Sequence, residues 1–234
     1  MERISLCLTN WNRTEMLLQS FERVIGDERI AEIIISDDCS NEETVTWLHD
    51  VFADNPKVIV VTHEQNVGMS RNKARSLEYA TRPWAIVFDS DNILDTEYID
   101  ALYKTRGALN WDENVIYCPS FARPKFDYRP FVSLNFDRRS VKKHLPKKMF
   151  DCLLNTCNYF VNVKEYLRVF QHNPEMKGTD TIWFNYLWLK EGNSFYVVPG
   201  MQYDHRVHDG SGFMADLDHN MKMAAEVKRK IAKL

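Results

Sequence analysis

The chain has 8 glycines in 234 residues, and none stands before Gly26. The first apolar run, Ile4 to Leu8, therefore ends in Thr9-Asn10-Trp11-Asn12-Arg13 and not in a glycine-rich turn. That excludes the G-x-G-x-x-G turn of a dinucleotide-binding dehydrogenase. It also argues against a sugar-phosphate nucleotidyltransferase, which carries a glycine-rich basic loop after its first strand. No run approaches the length of a membrane span, and the N-terminus lacks the long apolar core of a signal peptide. The net charge of −3 makes no overall electrostatic case for nucleic acid. The basic stretches Arg138-Arg139, Lys142-Lys143, Lys147-Lys148 and Lys228-Arg229-Lys230 are local, and read as a solvated face. Five scattered cysteines, an odd number, argue against a disulfide framework and for a reducing compartment. Cys152 and Cys157, with His205 and His208, are spaced too loosely to suggest a zinc site. A soluble, cytoplasmic chain is the expectation. No repeat, low-complexity tract or linker divides it, so residues 1–234 read as one domain.

A hydrophobic content of 44% and an aromatic content of 12% suffice for a sizeable core. Apolar runs at 4–8, 30–35, 58–61, 84–88 and 115–118 read as strands. Helical patterns lie between them: Leu17, Phe21 and Val24 form one stripe, and Ile99, Leu102 and Tyr103 another. Ser40 with Glu43 reads as a capping box opening a helix to about Phe52. This alternation predicts an α/β fold with a mostly parallel sheet and helices on both faces. Residues 119–150, which hold Pro119, Pro124, Pro130 and Pro146, read as irregular. Beyond them a strand is expected at 159–163, helices at 164–170 and 181–189, a strand at 195–198 and an amphipathic helix over 214–234.

Polar residues gather after each strand: Thr9, Asn10 and Asn12, then Asp37 and Asp38, then His63 to Asn66, then Asp89 and Asp91. Open α/β sheets bind ligands at the carboxyl ends of their strands. Asp89-Ser90-Asp91 follows the apolar run Trp84-Ala85-Ile86-Val87-Phe88. Two carboxylates two residues apart project to one side, and there they need a cation, a hydrogen-bond network or water. A divalent ion carrying a diphosphate is one reading, and a solvated pair capping the next helix is the other.

Six segments, in order, give the chain its resemblance to family-2 glycosyltransferases of the GT-A fold. Ile4 to Arg13 is similar to the family's first strand and Thr-x-x-Asn-Arg turn, and Ser36-Asp37-Asp38-Cys39-Ser40 to its Asp-Asp-x-Ser segment. Asn66-Val67-Gly68 with Ser70-Arg71-Asn72 resembles its Asn-x-Gly…Ala-Arg-Asn stretch, with Ser for Ala. Asp89-Ser90-Asp91 matches its metal motif. Gly178-Thr179-Asp180 stands where the family keeps an acidic base before a helix, with Thr where Glu is frequent. His205-Arg206-Val207-His208-Asp209-Gly210-Ser211 resembles its late His-x-Gly-Ser segment.

The resemblance implies metal-assisted, inverting transfer of a sugar from a nucleotide sugar, UDP-linked by family habit, to a hydroxyl of a carbohydrate or glycoconjugate acceptor. It implies Mn²⁺ or Mg²⁺, with Asp91 as direct ligand and His208, or its rival His205, as a further one. Asp89 is expected at the ribose, at the sugar or at the metal through water, with Ser90 beside it in the donor site. Asp38 would accept the uracil N3–H, and Asp37 would orient it or hold the loop. Thr9 and Asn12 would line the base and ribose pocket, and Arg71 would approach the diphosphate or pair with an aspartate. Asp180 is the expected base, with helix capping as its structural alternative. Residues 1–118 would form the donor half and 119–213 the acceptor half, followed by the C-terminal helix at 214–234. Aromatic residues such as Phe121, Phe126, Tyr128, Phe131 and Tyr159 would divide between stacking on sugars and core. A non-catalytic nucleotide-sugar-binding module of a larger synthase is the alternative, and the helix at 214–234 would pack on its own domain or meet a partner, a further domain or a membrane surface.

Overall fold

The computed structural model describes residues 2–206 and 214–234. Strands β1 (Ile4–Asn10), β2 (Ile30–Asp37), β3 (Val58–Thr62) and β4 (Trp84–Asp89) alternate with helices α1 (Glu15–Phe21), α2 (Glu42–Phe52) and α3 (Met69–Glu78). The strands pair in parallel in the order β3-β2-β1-β4. In β1, β2 and β4 the apolar runs are continuous because both faces of the sheet are covered: Ile4, Leu6, Leu8, Ile33, Ile34 and Ile35 are all fully buried, whereas β3, at the edge, leaves Ile59 exposed. The register brings the polar strand ends together. Thr9 lies between Ser36 on β2 and Asp89 on β4, and Asn10 is opposite Asp37.

The second half comprises α4 (Thr96–Leu109), β5 (Val115–Cys118), β6 (Phe121–Arg123), β7 (Phe126–Asp127), β8 (Asn135–Phe136), α5 (Phe150–Leu153), β9 (Tyr159–Asn162), α6 (Val163–Val169), α7 (Asp180–Lys190), β10 (Ser194–Val197), β11 (Gln202–Asp204) and α8 (Leu217–Ile231). The main sheet continues β4-β9-β5-β10-β8, with β9 antiparallel to both its neighbours and β8 antiparallel to β10. It is therefore mixed in this half. Strands β11, β6 and β7 form a separate small sheet.

Aromatic packing joins the two halves. Trp84 of β4 stacks on Phe160 of β9 with centroids 5.2 Å apart, and Trp111 lies 4.5 Å from Phe160. Helix α8 buries Met223, Ala224, Val227 and Ile231 and packs beside α7, so this helix does pack on its own chain. Among the described residues, no helix is long and apolar enough to cross a membrane.

Two helix starts differ from expectation. Asn41, not Ser40, caps α2, its side chain accepting from the Thr44 amide at 2.8 Å. Ser40 is taken by Asp37, its hydroxyl donating to that carboxylate at 2.6 Å. Thr179 holds the N-cap position of α7, so Asp180 is its first helical residue and not its cap.

Replacing a buried aromatic by alanine costs about 3–5 kcal/mol in general. Trp84→Ala should therefore lower the urea midpoint by that equivalent with an unchanged m value. A loss below about 1 kcal/mol would show that the Trp84–Phe160 stack does not hold β4 to β9.

Candidate active site

The turns after β1 and β2 form one hydrogen-bonded unit. Asn12 and Cys39 have left-handed backbones, φ 52° and 60°, which turn the chain sharply after each strand. Asp37 is fully buried: Oδ1 accepts from the Asn10 side chain at 2.9 Å and from the Ser40 hydroxyl, and Oδ2 accepts from the Ser40 amide at 3.0 Å. The Asn12 amide donates to the Ser40 hydroxyl at 2.7 Å, and the Asn12 side chain accepts from the Asn41 amide at 2.8 Å. Asp38 accepts from the amides of Val67 at 2.7 Å and Gly68 at 2.9 Å, which ties β2 to the start of α3. Gly68 sits at φ +84°, where a side chain would strain the backbone. Asn72 on α3 donates to the Ser36 carbonyl at 3.0 Å and accepts from the Ser36 hydroxyl at 2.6 Å.

The expected acidic pair ends β4. The Asp89 amide donates to the Asn158 side chain at 2.8 Å, and the Cys157 thiol donates to Asp89 Oδ2 at 2.8 Å. Asp91 is partly exposed and forms an ion pair with Arg13 at 3.4 Å. Ser90 is buried, and its hydroxyl accepts from Arg13 at 3.4 Å. Behind the loop, Arg206 donates to the carbonyl of Asp91, to those of Ser90 at 3.3 Å and Asn92 at 3.4 Å, and to that of Met16 at 2.7 Å. Burial lowers the Arg206 pKa from its usual value.

The connection that decides the site is Lys73. Its ammonium lies 3.2 Å from Asp180 Oδ2, 3.5 Å from Asp89 Oδ1 and 3.5 Å from the Thr181 hydroxyl. Lys73 and Asp180 are each 6% exposed. Burial disfavours the lysine charge, yet Asp180 and Asp89 together hold its pKa well above the usual value. Burial pushes the Asp180 carboxyl above the usual carboxylate range, against the pull of Lys73 and with help from the Asp89 charge. Burial also works against ionised Asp89, but Lys73, the Cys157 thiol and Arg13 outweigh it and hold Asp89 below that range. Burial and the neighbouring Asp89 raise the Cys157 pKa, so the thiol stays protonated as a donor.

Asp89, Asp91 and Asp180, read separately from the sequence, are thus linked by Lys73 and Arg13. Arg71 is exposed on α3, where burial and then the Arg71 charge lower the His172 pKa; the α3 cation that pairs with Asp89 and Asp180 is Lys73, two residues on. His205 is packed edge-on against Phe126, with ring centroids 5.0 Å apart. His208 and Asp209-Gly210-Ser211 lie outside the described residues. Among the described residues, no three His, Cys, Asp or Glu side chains converge as a metal cage. Tyr128, Phe131 and Tyr159 are core, whereas Phe121 and Phe126 are partly exposed. Sequence reasoning missed Lys73, Cys157 and Asn158 and the roles of Arg13 and Arg206. One signal was available: Lys73 is four residues before the buried Leu77, on the inward stripe of α3.

A sequence profile described as "Glycosyl transferase family 2" matches residues 5–167. The chain belongs to glycosyl transferase family 2. No curated protein matches it in sequence. Among solved structures, S. aureus TarS 1–349 in complex with UDP-GlcNAc is 13% identical with a TM-score of 0.70, over 98% of this chain and 70% of that one. The UDP complex of the same protein superposes with a TM-score of 0.68 at 13% identity, over 98% of this chain and 69% of that one. Against S. aureus TarS, the TM-score is 0.67 at 12% identity, and this chain, 99% covered, spans 42% of that one. These likenesses establish the GT-A fold.

Leaving two carboxylates of a buried network without their cation costs about 3–5 kcal/mol. Lys73→Met should therefore unfold at a lower temperature than wild type at pH 8. The deficit should shrink toward pH 5. Without Lys73, the already raised folded-state pKa of Asp180 rises further and Asp89 loses the cation that lowers it most, a penalty that grows as pH rises above the carboxylate range and is relieved as they bind protons. Equal deficits at both pH values, measured by differential scanning fluorimetry, would refute the charge explanation.

Proposed function

We propose that this family-2 glycosyltransferase moves a sugar from a nucleoside-diphosphate sugar, UDP-linked by preference, to a hydroxyl of a carbohydrate or glycoconjugate acceptor, with inversion at the anomeric carbon. The observation that carries this reading is the buried Asp180, raised in pKa and held next to Asp89 by Lys73. A non-catalytic binding module has no need of a buried base beside its donor site. The UDP and UDP-GlcNAc complexes of TarS support a nucleotide-sugar donor.

Each residue has a role that follows from its surroundings. Asp38 is fixed by the Val67 and Gly68 amides, and each of its oxygens keeps a lone pair for the uracil N3–H. Trp11 is 57% exposed between Asn10 and Asn12 and offers a flat apolar face to the base. Thr9 and Asn12 border the ribose, and Asp37 holds the turn on which they depend. Asp89 faces the ribose or the sugar. Arg13 stands beside Asp91 and meets the diphosphate, and Arg206 adds fixed positive charge behind the same loop.

Asp91 and Asp89 offer hard carboxylate oxygens, the donor class that suits Mn²⁺ or Mg²⁺. Such an ion, held by Asp91 with Asp89 and with His208 or His205, would supply charge compensation for the leaving diphosphate. Asp180 takes the proton of the acceptor hydroxyl. The oxygen's electron pair then forms the bond to the anomeric carbon as the bond from that carbon to the diphosphate oxygen breaks. The raised pKa makes Asp180 a stronger base than an exposed aspartate.

General-base assistance is worth about 10²–10⁴ in rate. Asp180→Asn should lower kcat for UDP release from the preferred UDP-sugar, measured with Mn²⁺ and acceptor, by that factor while donor binding persists. Turnover equal to wild type would remove Asp180 from the mechanism. A thermal-shift screen of nucleotide sugars with and without Mn²⁺ checks the donor, because a true donor raises the midpoint by mass action.

A further inference from the structure

Residues 138–148 contain Arg138, Arg139, Lys142, Lys143, Lys147 and Lys148 and no acidic residue. All six cations are exposed. The segment follows β8 at the edge of the main sheet and is pinned by the buried Val141 and by Asp137, which accepts from the amides of Arg139 at 3.0 Å and Ser140 at 2.9 Å. The end of α8 comes to the same place. Lys228 pairs with Asp151 at 2.9 Å, and Lys147, Lys148, Lys228 and Arg229 line one open groove of about 500 Å³. Leu145, Pro146, Ala232 and the Asp151 that pairs with Lys228 also line this groove. Apart from Lys228, none of these eight cations forms an ion pair with a carboxylate among the described residues.

The asymmetry is large for a nearly neutral chain. Setting aside the eight cations and the three nearby acids, Asp112, Asp137 and Asp151, leaves 22 Lys and Arg against 30 Asp and Glu from totals of 30 and 33. The rest of the chain is net negative, and these two segments are net positive. Such a charge distribution orients a molecule on an anionic surface. The positive field is also felt inside the face, where burial, Lys147 and Lys143 lower the His144 pKa.

We propose that this basic face, built from residues 138–148 and the end of α8, seats the protein on an anionic phospholipid surface. Cations beside the apolar Leu145, Pro146 and Ala232 match a lipid, whose phosphate lies above an apolar chain. Single-stranded nucleic acid would call for exposed aromatic platforms, and no aromatic residue lines the groove. Duplex DNA would call for a protruding helix or ribbon, whereas most of these cations lie on short turns. This surface is separate from the residues assigned to the donor and the base, and the proposal does not depend on that reading.

The test is co-sedimentation of the full chain with vesicles of phosphatidylcholine alone and of phosphatidylcholine mixed with phosphatidylglycerol. Binding to the mixed vesicles only, released by raised salt, is expected. Each cation near such a surface is worth roughly five-fold in partition. The variant Lys142→Glu/Lys143→Glu/Lys147→Glu/Lys148→Glu should lose at least about a hundred-fold, and the matching Lys→Gln variant should lose less. Both should keep the wild-type circular dichroism spectrum; because these side chains are exposed, comparison of the two variants at matched folded fraction separates charge from unfolding. Equal binding to both vesicle types, or undiminished binding by the Glu variant, would overturn the proposal. So would displacement by low inorganic phosphate, which marks an ion site, or binding of labelled duplex DNA without vesicle binding.

Discussion

A single ammonium, that of Lys73, is the constraint on which the site depends. It joins α3 to the end of β4 through Asp89 and to the start of α7 through Asp180. Carboxylates are tolerated in such surroundings only with a cation, because an unpaired buried charge is penalised by several kcal/mol. That penalty is a large part of the roughly 5–15 kcal/mol by which a domain is stable. Three segments distant in sequence are therefore held in one arrangement, and the same contact moderates the rise that burial gives the Asp180 pKa. Structure and proposed chemistry share one interaction here.

The loops above the sheet follow a similar logic with neutral donors. Asp37 and Asp38 look interchangeable in the sequence but have different tasks. Asp37 is fully buried and spends its oxygens on Asn10 and Ser40. Asp38 is fixed by backbone amides at the mouth of α3. A carboxylate held by N–H groups keeps its direction before a ligand arrives, which favours recognition without reorganisation.

Strands β1, β2 and β4 were legible because a doubly covered sheet requires unbroken apolar runs, as in Ile30 to Ile35, and the edge strand β3 showed as the apolar run Val58 to Val61 although it is only partly covered. The reversal of β9 was not, since Tyr159–Asn162 carries no local mark of its direction and its neighbours are set by long-range packing against Trp84. Strands of two or three residues, such as β7 and β8, are too short to show a period. The acidic pairs were legible from their place after strands. Lys73 was not, because a lysine on a helix normally faces water and only its buried neighbours reveal otherwise. Ser40 matched a capping pattern locally, but its hydroxyl accepts from the Asn12 amide and donates to Asp37.

The insertion of β9 between β4 and β5 has a consequence for how the molecule comes together. Strands that follow each other in sequence normally pair soon after both exist, but β4 and β5 are neighbours in order and not in space. Until Tyr159–Asn162 arrives, β4 presents an open edge and β5 lacks its link to the parallel half. Cys157 and Asn158, which grip Asp89, arrive on the same segment. The β1–β4 part of the sheet can thus form early, while Asp89 meets Cys157 and Asn158 only through a non-local contact that is slowed by the length of chain to be gathered.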